Sequence, residues 1–274
     1  MRTPPRRSVP AGVWRHGSRA ADGTRDLPEE TALALTFQRE TYAVMMGTPA
    51  DLEDFAVGFA ITEGIVAEAR EIAALDVLEH ADGIELRMEL PPAALDRLTA
   101  RRRRLAGPTG CGLCGIDSLT EAVRRPRRVG PGQRVGAAEI AAAMAGMEPL
   151  QRLNRATHAV HAAAFWHSAE GIVALREDVG RHNALDKLAG ALARAGHDAA
   201  DGLVLLSSRV SIEMVQKAAA IGAPVLVAVS APTAHAVRLA EAAGMTLVAV
   251  ARQDGFEVFC GAERIGAEAA HVAG

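Results

Sequence analysis

Residues 203–250 read LVLLSSRVSIEMVQKAAAIGAPVLVAVSAPTAHAVRLAEAAGMTLVAV. Three short apolar runs stand in this stretch: Leu203 to Leu206, Val225 to Val229 and Leu247 to Val250. Between them, Ser211 to Ile221 and Pro232 to Ala243 place apolar residues at helical spacing, and Pro232 suits a first helical position. Strands of a parallel sheet are buried on both faces and read as continuous apolar runs. Strand, helix, strand, helix, strand therefore predicts a largely parallel sheet with helices covering its faces, an α/β architecture. Just upstream, Phe165 to Ala174 reads as a hairpin around Ala169-Glu-Gly171. Asn183 to Arg194 reads as a helix with Leu185, Leu188 and Leu192 inward.

The N-terminal half has a different texture. Leu33, Leu35 and Phe37 alternate with small or polar residues, and Tyr42 to Met46 follows a short polar break, which predicts a strand pair. Asp51 is placed to cap a helix in which Leu52, Phe55, Ala56, Phe59 and Ala60 share a face, and Gly64 is placed to end it. Val77-Leu78 and Ile84 to Met88 flank Asp82-Gly83, a dipeptide that suits a tight hairpin turn. Pro91-Pro92 opens a helical segment that ends in Arg101 to Arg104. These readings divide the chain into an α+β domain over residues 27–105, a Gly/Pro/Arg-rich connection over 106–136 and an α/β domain over 137–274. Residues 1–26, rich in Arg, Pro, Ser and Gly, are expected to form a disordered leader. The Arg6-Arg7 pair is followed by no apolar segment, so an export signal is not expected.

Composition narrows the functional classes. Hydrophobic residues make up 49% of the 274 and aromatics 3%, a globular balance with a core of Ala, Val, Leu and Ile. Thirty basic against 33 acidic residues give a formal charge of -3, with no global field to draw nucleic acid or anionic lipid. No apolar stretch is long enough to span a bilayer, so a soluble protein is expected. There are 3 cysteines, an odd number, and Cys111 and Cys114 form a CxxC pair, which suits a reducing, cytoplasmic setting.

Two regions carry candidate chemistry. In Thr109-Gly-Cys-Gly-Leu-Cys-Gly115, glycines on both sides of the thiols favour an exposed turn, where a thiolate can react. The Arg101 to Arg104 run upstream reads mainly as a solvated helix face. Zinc is an alternative for the same thiols, with His158 and His161 completing a Cys2His2 set, although the spacing departs from the finger pattern. A thiol-disulfide oxidoreductase is another reading of CxxC. Cys260 reads as a buried small hydrophobe. The second region is the set of strand ends Ser207-Ser208-Arg209, Ser230 to Thr233 and Arg252 to Gly255. Ligands of open α/β sheets bind at such carboxyl ends, and helix N-termini attract phosphate. Arg176 and Arg181, ahead of the Asn183 helix, add guanidiniums suited to the same phosphate, as does Arg209 beside Ser207. No Walker A loop, nucleophile elbow or GxGxxG is present.

Three segments together resemble one family. They are Thr109 to Gly115, Arg176-Glu-Asp-Val-Gly-Arg-His-Asn-Ala-Leu-Asp-Lys187 and Ser207-Ser-Arg-Val-Ser-Ile-Glu-Met-Val-Gln-Lys217. They look like those of the FdhD-type formate dehydrogenase accessory sulfurtransferases, and Thr48 to Phe59 with Thr62 to Ile65 fits the same family. The resemblance implies a sulfur carrier that accepts sulfur from a cysteine desulfurase and passes it to molybdenum bound by a pair of pterin guanine dinucleotides, for formate dehydrogenase. It implies a persulfide on Cys111 and a cofactor-binding stretch at Val250, Ala251, Arg252, Gln253, Asp254 and Gly255. Related chains tend to carry Lys and Pro in that stretch, whereas this one has Asp254. A homodimer and a cytidine deaminase-like three-layer second domain are also implied, and the loose ligand spacing leads us to expect no tightly bound metal. The zinc deaminase signature itself is missing, because His158 and His161 lack the following Glu. A chaperone that only holds the molybdenum cofactor, with structural or zinc-bound cysteines, is the main alternative function.

Overall fold

The computed structural model describes residues 3–105 and 126–266, so Cys111 and Cys114 lie outside the described residues. The chain opens with a hairpin in which β1 (Arg6–Arg15) pairs antiparallel with β2 (Ser18–Pro28). Most of the leader expected to be unstructured over residues 1–26 is therefore a hairpin of paired strands, which runs on to Pro28. Arg6 meets Asp26 across the hairpin, Arg7 meets Glu29 just beyond it, each at 3.3 Å, and Arg25 donates to the Thr157 carbonyl. Composition could not show these pairings, because they depend on which residues come to lie opposite each other.

Next comes a four-stranded sheet built from β3 (Thr31–Phe37), β4 (Glu40–Gly47), β5 (Ala74–His80) and β6 (Gly83–Glu89) in the order β4-β3-β6-β5. Strands β3 and β6 run parallel; the other pairs are antiparallel. The period of two puts Leu33, Leu35, Phe37, Ile84, Leu86 and Met88 on one buried face. Helix α1 (Leu52–Thr62) covers that face with Phe55 and Phe59, and α2 (Pro92–Leu105) follows β6. Two local expectations differ in detail. Asp51 precedes α1 in the left-handed region at φ 52° and makes no side-chain cap; its carboxylate lies 3.6 Å from Arg176. His80 pairs with Gly83, so Ala81 and Asp82 form the turn. Gly83 is needed for the approach of β3, since a Cβ there would lie 2.4 Å from the Ala32 carbonyl oxygen.

The second module starts with β7 (Val135–Gly136), α3 (Ala137–Met147) and α4 (Arg152–Thr157). It continues through β8 (His161–His167), β9 (Gly171–Asp178), α5 (Arg181–Ala195), β10 (Leu203–Leu206) and α6 (Ile212–Ala220). Its last elements are β11 (Val225–Ala228), α7 (Ala234–Ala243), β12 (Thr246–Arg252), β13 (Gly255–Cys260) and β14 (Ile265–Gly266), which pairs with β7. The six-stranded sheet has the order β13-β12-β11-β10-β8-β9. The three expected strands form its parallel centre, and β8, β9 and β13 flank them antiparallel. Val204, Leu206 and Leu226 face α5, α6 and α7, while Leu203, Leu205 and Val227 face α3. That double burial is why these strands read as unbroken apolar runs. Pro232 stands two positions before the first helical residue, Ala234, because Thr233 is the N-cap of α7 and accepts from Ala236 at 3.2 Å. No helix among the described residues is long and apolar enough to cross a membrane.

The two modules meet where α1 crosses α5. A Cβ on Gly58 would lie 1.7 Å from the Asp186 carbonyl oxygen, and one on Gly190 would lie 1.9 Å from that of Asp54. Both obstacles are main-chain atoms in packed helices, so neither can swing aside. Gly58→Ala and Gly190→Ala are each expected to lower unfolding free energy by about 1–3 kcal/mol or more, the cost of overpacking. Urea denaturation checks this, with Gly23→Ala, which meets nothing within 4 Å, expected to stay within about 0.5 kcal/mol of the parent.

Candidate functional site

The antiparallel return of β8 and β9 brings five chain segments to one edge of the six-stranded sheet. His161 at the start of β8 and Asp178 at the end of β9 pair beside Ala163, which faces Leu206 at the end of β10. The loops after β10 and β11 are stitched together there: Val210 donates to the Ala231 carbonyl at 3.4 Å, and Thr233 donates to that of Val210 at 2.9 Å. Ser207 is held by the backbone of Ala162, receiving its N–H at the side-chain oxygen at 2.8 Å. Ser208 is buried and donates to the Arg209 carbonyl, leaving Arg209 exposed.

The end of β12 reaches the same edge. Val250 has φ 51°, and its N–H points to the Ser230 carbonyl at 3.5 Å. A β-branched residue in the left-handed region is strained, and such strain is held where surrounding structure over-determines it, often at ligand sites. Ala251 is buried against the sheet, while Arg252 pairs with Gly255 so that Gln253 and Asp254 make an exposed turn.

Helix α5 divides the residues of the 176–187 motif between two tasks. On the side facing the N-terminal module, Lys187 and Asp178 form a pair at 2.7 Å with both side chains fully buried. Lys187 also donates to the Thr48 carbonyl, and Asp178 receives the Thr48 N–H, both at 2.9 Å. Asn183 donates to the Met46 carbonyl and to Asp178. Asp186 receives Thr62 at 2.6 Å and Lys217 through both oxygens at 2.9 Å. Lys217 further reaches Glu63 at 3.2 Å and lies 5.6 Å from the centre of the Phe59 ring. Burial works against the Lys217 charge, but Asp186 and Glu63 outweigh it and hold its pKa above the usual lysine value. Arg176, expected at a phosphate, is joined to Asp54 at 2.7 Å, and Arg194 also binds Asp54. The structure thus groups Arg181, Ser207, Arg209 and the 250–255 stretch at the edge and turns Arg176 toward α1.

Sequence reasoning missed that Asp178, Asn183, Asp186 and Lys187 hold the modules together. A signal was present: α5 is buried on nearly all sides from Asn183 to Leu192 yet carries three polar residues there, and such residues need partners from another element. On the edge side, burial and then Arg181 push the His161 pKa down. Burial, followed by Arg181 and Lys217, pushes that of His182 down to about 4. His158 ends α4 in the left-handed region, and no cluster of three potential metal ligands occurs among the described residues. Cys260 donates to the Met245 carbonyl at 3.3 Å, and burial raises its thiol pKa, which keeps it in the unreactive form.

A mixed α/β sheet with cations and strained backbone at the carboxyl ends of its parallel strands places this chain among the α/β proteins, with its candidate site at those strand ends. Comparison with known proteins makes the class specific. The FdhD/NarQ family pattern matches residues 28–266. The sulfur carrier protein FdhD of Agrobacterium fabrum is 50% identical over 260 residues, covering 94% of this chain and 96% of that protein. Its counterpart in Brucella abortus is 51% identical over 245 residues, 89% of this chain and 91% of its own. A crystal structure described as a formate dehydrogenase accessory protein from Desulfotalea psychrophila superposes with TM-score 0.76 at 26% identity, over 96% of this chain and all of that one (100%). The chain belongs to the FdhD/NarQ family.

Removing one member of the Asp178–Lys187 pair leaves a fully buried charge alone. Lys187→Met is expected to cost about 3–5 kcal/mol of stability, read by urea denaturation, whereas Arg209→Ala on the exposed rim is expected to stay within about 0.5 kcal/mol.

Proposed function

We propose that this chain is a sulfur carrier that loads sulfur as a persulfide on Cys111 and delivers it to molybdenum held by a pair of pterin guanine dinucleotides, for use by formate dehydrogenase. What carries this reading is the roughly half-identical, nearly full-length match to sulfur carrier proteins. The cationic edge adds a place for a large phosphate-bearing substrate. In loading, the Cys111 thiolate attacks the outer sulfur of a persulfide on a cysteine desulfurase. The donor's S–S bond breaks, the donor cysteine leaves as thiolate, and a new S–S bond forms on Cys111, with no net oxidation. This chemistry needs free thiols and therefore a reducing compartment, the cytoplasm. A homodimer is the assembly we propose.

The molybdenum-bearing substrate is assigned to the carboxyl edge. There Arg181, Arg209 and the strand and helix ends meet phosphates, and the Val250–Gly255 stretch supplies backbone contacts. Arg176, joined to Asp54, acts by positioning β9 and α1. Cys114 has two possible roles. Attack by its thiolate on the inner sulfur of the persulfide gives a Cys111–Cys114 disulfide and releases hydrosulfide; simple shielding leaves both cysteines as thiols, with an external thiol supplying the two electrons and ending as its own disulfide.

Intact-protein mass spectrometry after incubation with cysteine and a cysteine desulfurase tests the reading. The unmodified chain is expected to gain one reductant-labile sulfur and Cys111→Ala none. Cys114→Ala is expected to load and, if Cys114 forms the disulfide, to keep its sulfur when the acceptor is added. Absence of sulfur on every form, with zinc bound instead, would replace the carrier with a cofactor-holding chaperone.

A further inference from the structure

Among the described residues, β1 and β2 form a sheet of only two strands, and no residue of this hairpin belongs to any of the three apolar cores. The hairpin is held at its base, where the Glu29 N–H donates to the Pro5 carbonyl and Arg25 donates to that of Thr157. A two-stranded ribbon is only marginally stable in water and needs further strands or a packed surface to persist. At its tip, Trp14 stands opposite Arg19 and is 68% exposed, more than any other large hydrophobic side chain among the described residues. One exposed apolar side chain needs no explanation by itself. This one has a complementary surface elsewhere on the molecule.

An apolar groove of about 520 Å³ lies at the base of the hairpin. Pro5 and Arg6 line it together with Leu150, Leu153 and Ile172 to Leu175 of β9. Strand β9 is the last strand of the six-stranded sheet. Four successive residues turned to one groove are what a strand edge presents, since a face would show alternate ones. Leu150 is 43% exposed there. The hairpin cannot fill the groove of its own chain, because the strand from Arg6 to Trp14 spans about 25 Å and carries the indole away from it.

A second copy supplies what is missing. Two hairpins aligned antiparallel about a two-fold axis put each tip at the base of the other, which is where the groove lies, so a single kind of contact is made twice. Charge favours the same occupant. Six arginines but only two aspartates fall in residues 1–28, although acidic residues outnumber basic ones in the whole chain by 33 to 30. A basic arm therefore meets a net acidic body. The area is also sufficient: a ribbon about 25 Å long and about 10 Å wide on each copy, two indoles of about 150–250 Å² and the groove walls they cover come to on the order of 1,200–1,500 Å², the size of a specific interface.

We propose that this chain dimerises by exchanging its N-terminal hairpins, with Trp14 of each copy seated in the groove beside β9 of the other. The inference rests on the homodimer proposed above and deepens it by naming the contact. It gives the ribbon a packed surface and covers the free edge of β9, which would otherwise invite pairing with unrelated strands.

Size-exclusion chromatography with light scattering on the full chain tests this. The parent is expected to be a dimer at micromolar concentration. Trp14→Glu and Leu150→Lys are each expected to weaken the dimer roughly thirtyfold or more, as loss of a buried aromatic anchor implies. Both residues are exposed in the single chain, so both variants are expected to keep the parent's circular dichroism spectrum. Mixing the two variants is expected to restore a dimer, because in the mixed pair one contact is native and the other joins opposite charges. Val44→Glu, at a side chain 59% exposed on β4 and outside both the hairpin and the groove, is expected to dimerise as the parent does. The proposal is overturned if Trp14→Glu dimerises like the parent, if the mixture stays monomeric, or if Val44→Glu weakens the dimer as much. A monomeric parent removes the homodimer together with the contact, whereas a dimer indifferent to Trp14 and Leu150 removes the contact alone. Sulfur gained on Cys111 is scored apart from both.

Discussion

Helices α1 and α5 touch main chain to main chain, and the arrangement of the molecule depends on that contact. With Gly58 over Asp186 and Gly190 over Asp54 there is no room for a side chain at either crossing point. Close approach brings polar groups of the two modules within hydrogen-bonding distance, so that Asp54 finds a cation, Asp186 the Thr62 hydroxyl and Asp178 a main-chain donor across the boundary. Buried charges of this kind add little net stability compared with apolar packing. What they supply is register. A shift of α1 along α5 would strand several charges at once, so the crossing point is fixed more sharply than apolar contact would fix it.

The same helix sorts its charges by direction. Residues facing α1 and the β4 end are paired, and those facing the sheet edge are left open. Lys187 and Arg181 lie within two turns of α5, yet one is sealed in an ion pair and the other has no carboxylate partner among the described residues. This asymmetry sets the face of the helix turned to the N-terminal module apart from the face at the sheet edge, although both halves have the same kind of sequence. A rigid crossing also keeps the first turn of α5 aligned with the β10–α6 and β11–α7 loops, which hydrogen-bond to each other through Val210, Ala231 and Thr233. Strain at Val250 is tolerable in such a setting because the neighbouring strands and loops leave the backbone no easy alternative.

Much of this architecture could be read along the chain. The runs at Leu203, Val225 and Leu247 announced the parallel centre because burial on both faces removes the polar alternation of an ordinary strand. Phe55 and Phe59 announced α1 because four-residue spacing stacks them on one face. The FdhD-type motifs announced the family, and Arg181, Ser207 and Arg209 were placed at one edge by the rule for strand ends. The hairpin of residues 6–28 escaped because its strands are held by pairs such as Arg6–Asp26, whose members are far apart in sequence and ordinary in composition.

Arg176 marks the boundary between the two kinds of knowledge. Its sequence neighbours suggested a phosphate ligand, and nothing local argued otherwise; only the fold revealed Asp54, more than a hundred residues earlier, against its guanidinium. By itself the sequence determined most element types, the parallel centre of the larger sheet and the chemistry available, because these follow from periodicity and residue identity over short spans. The tertiary structure alone decided which charges are paired and which stand open, because an ion pair is a matter of distance in space and the chain does not record distance between residues remote along it.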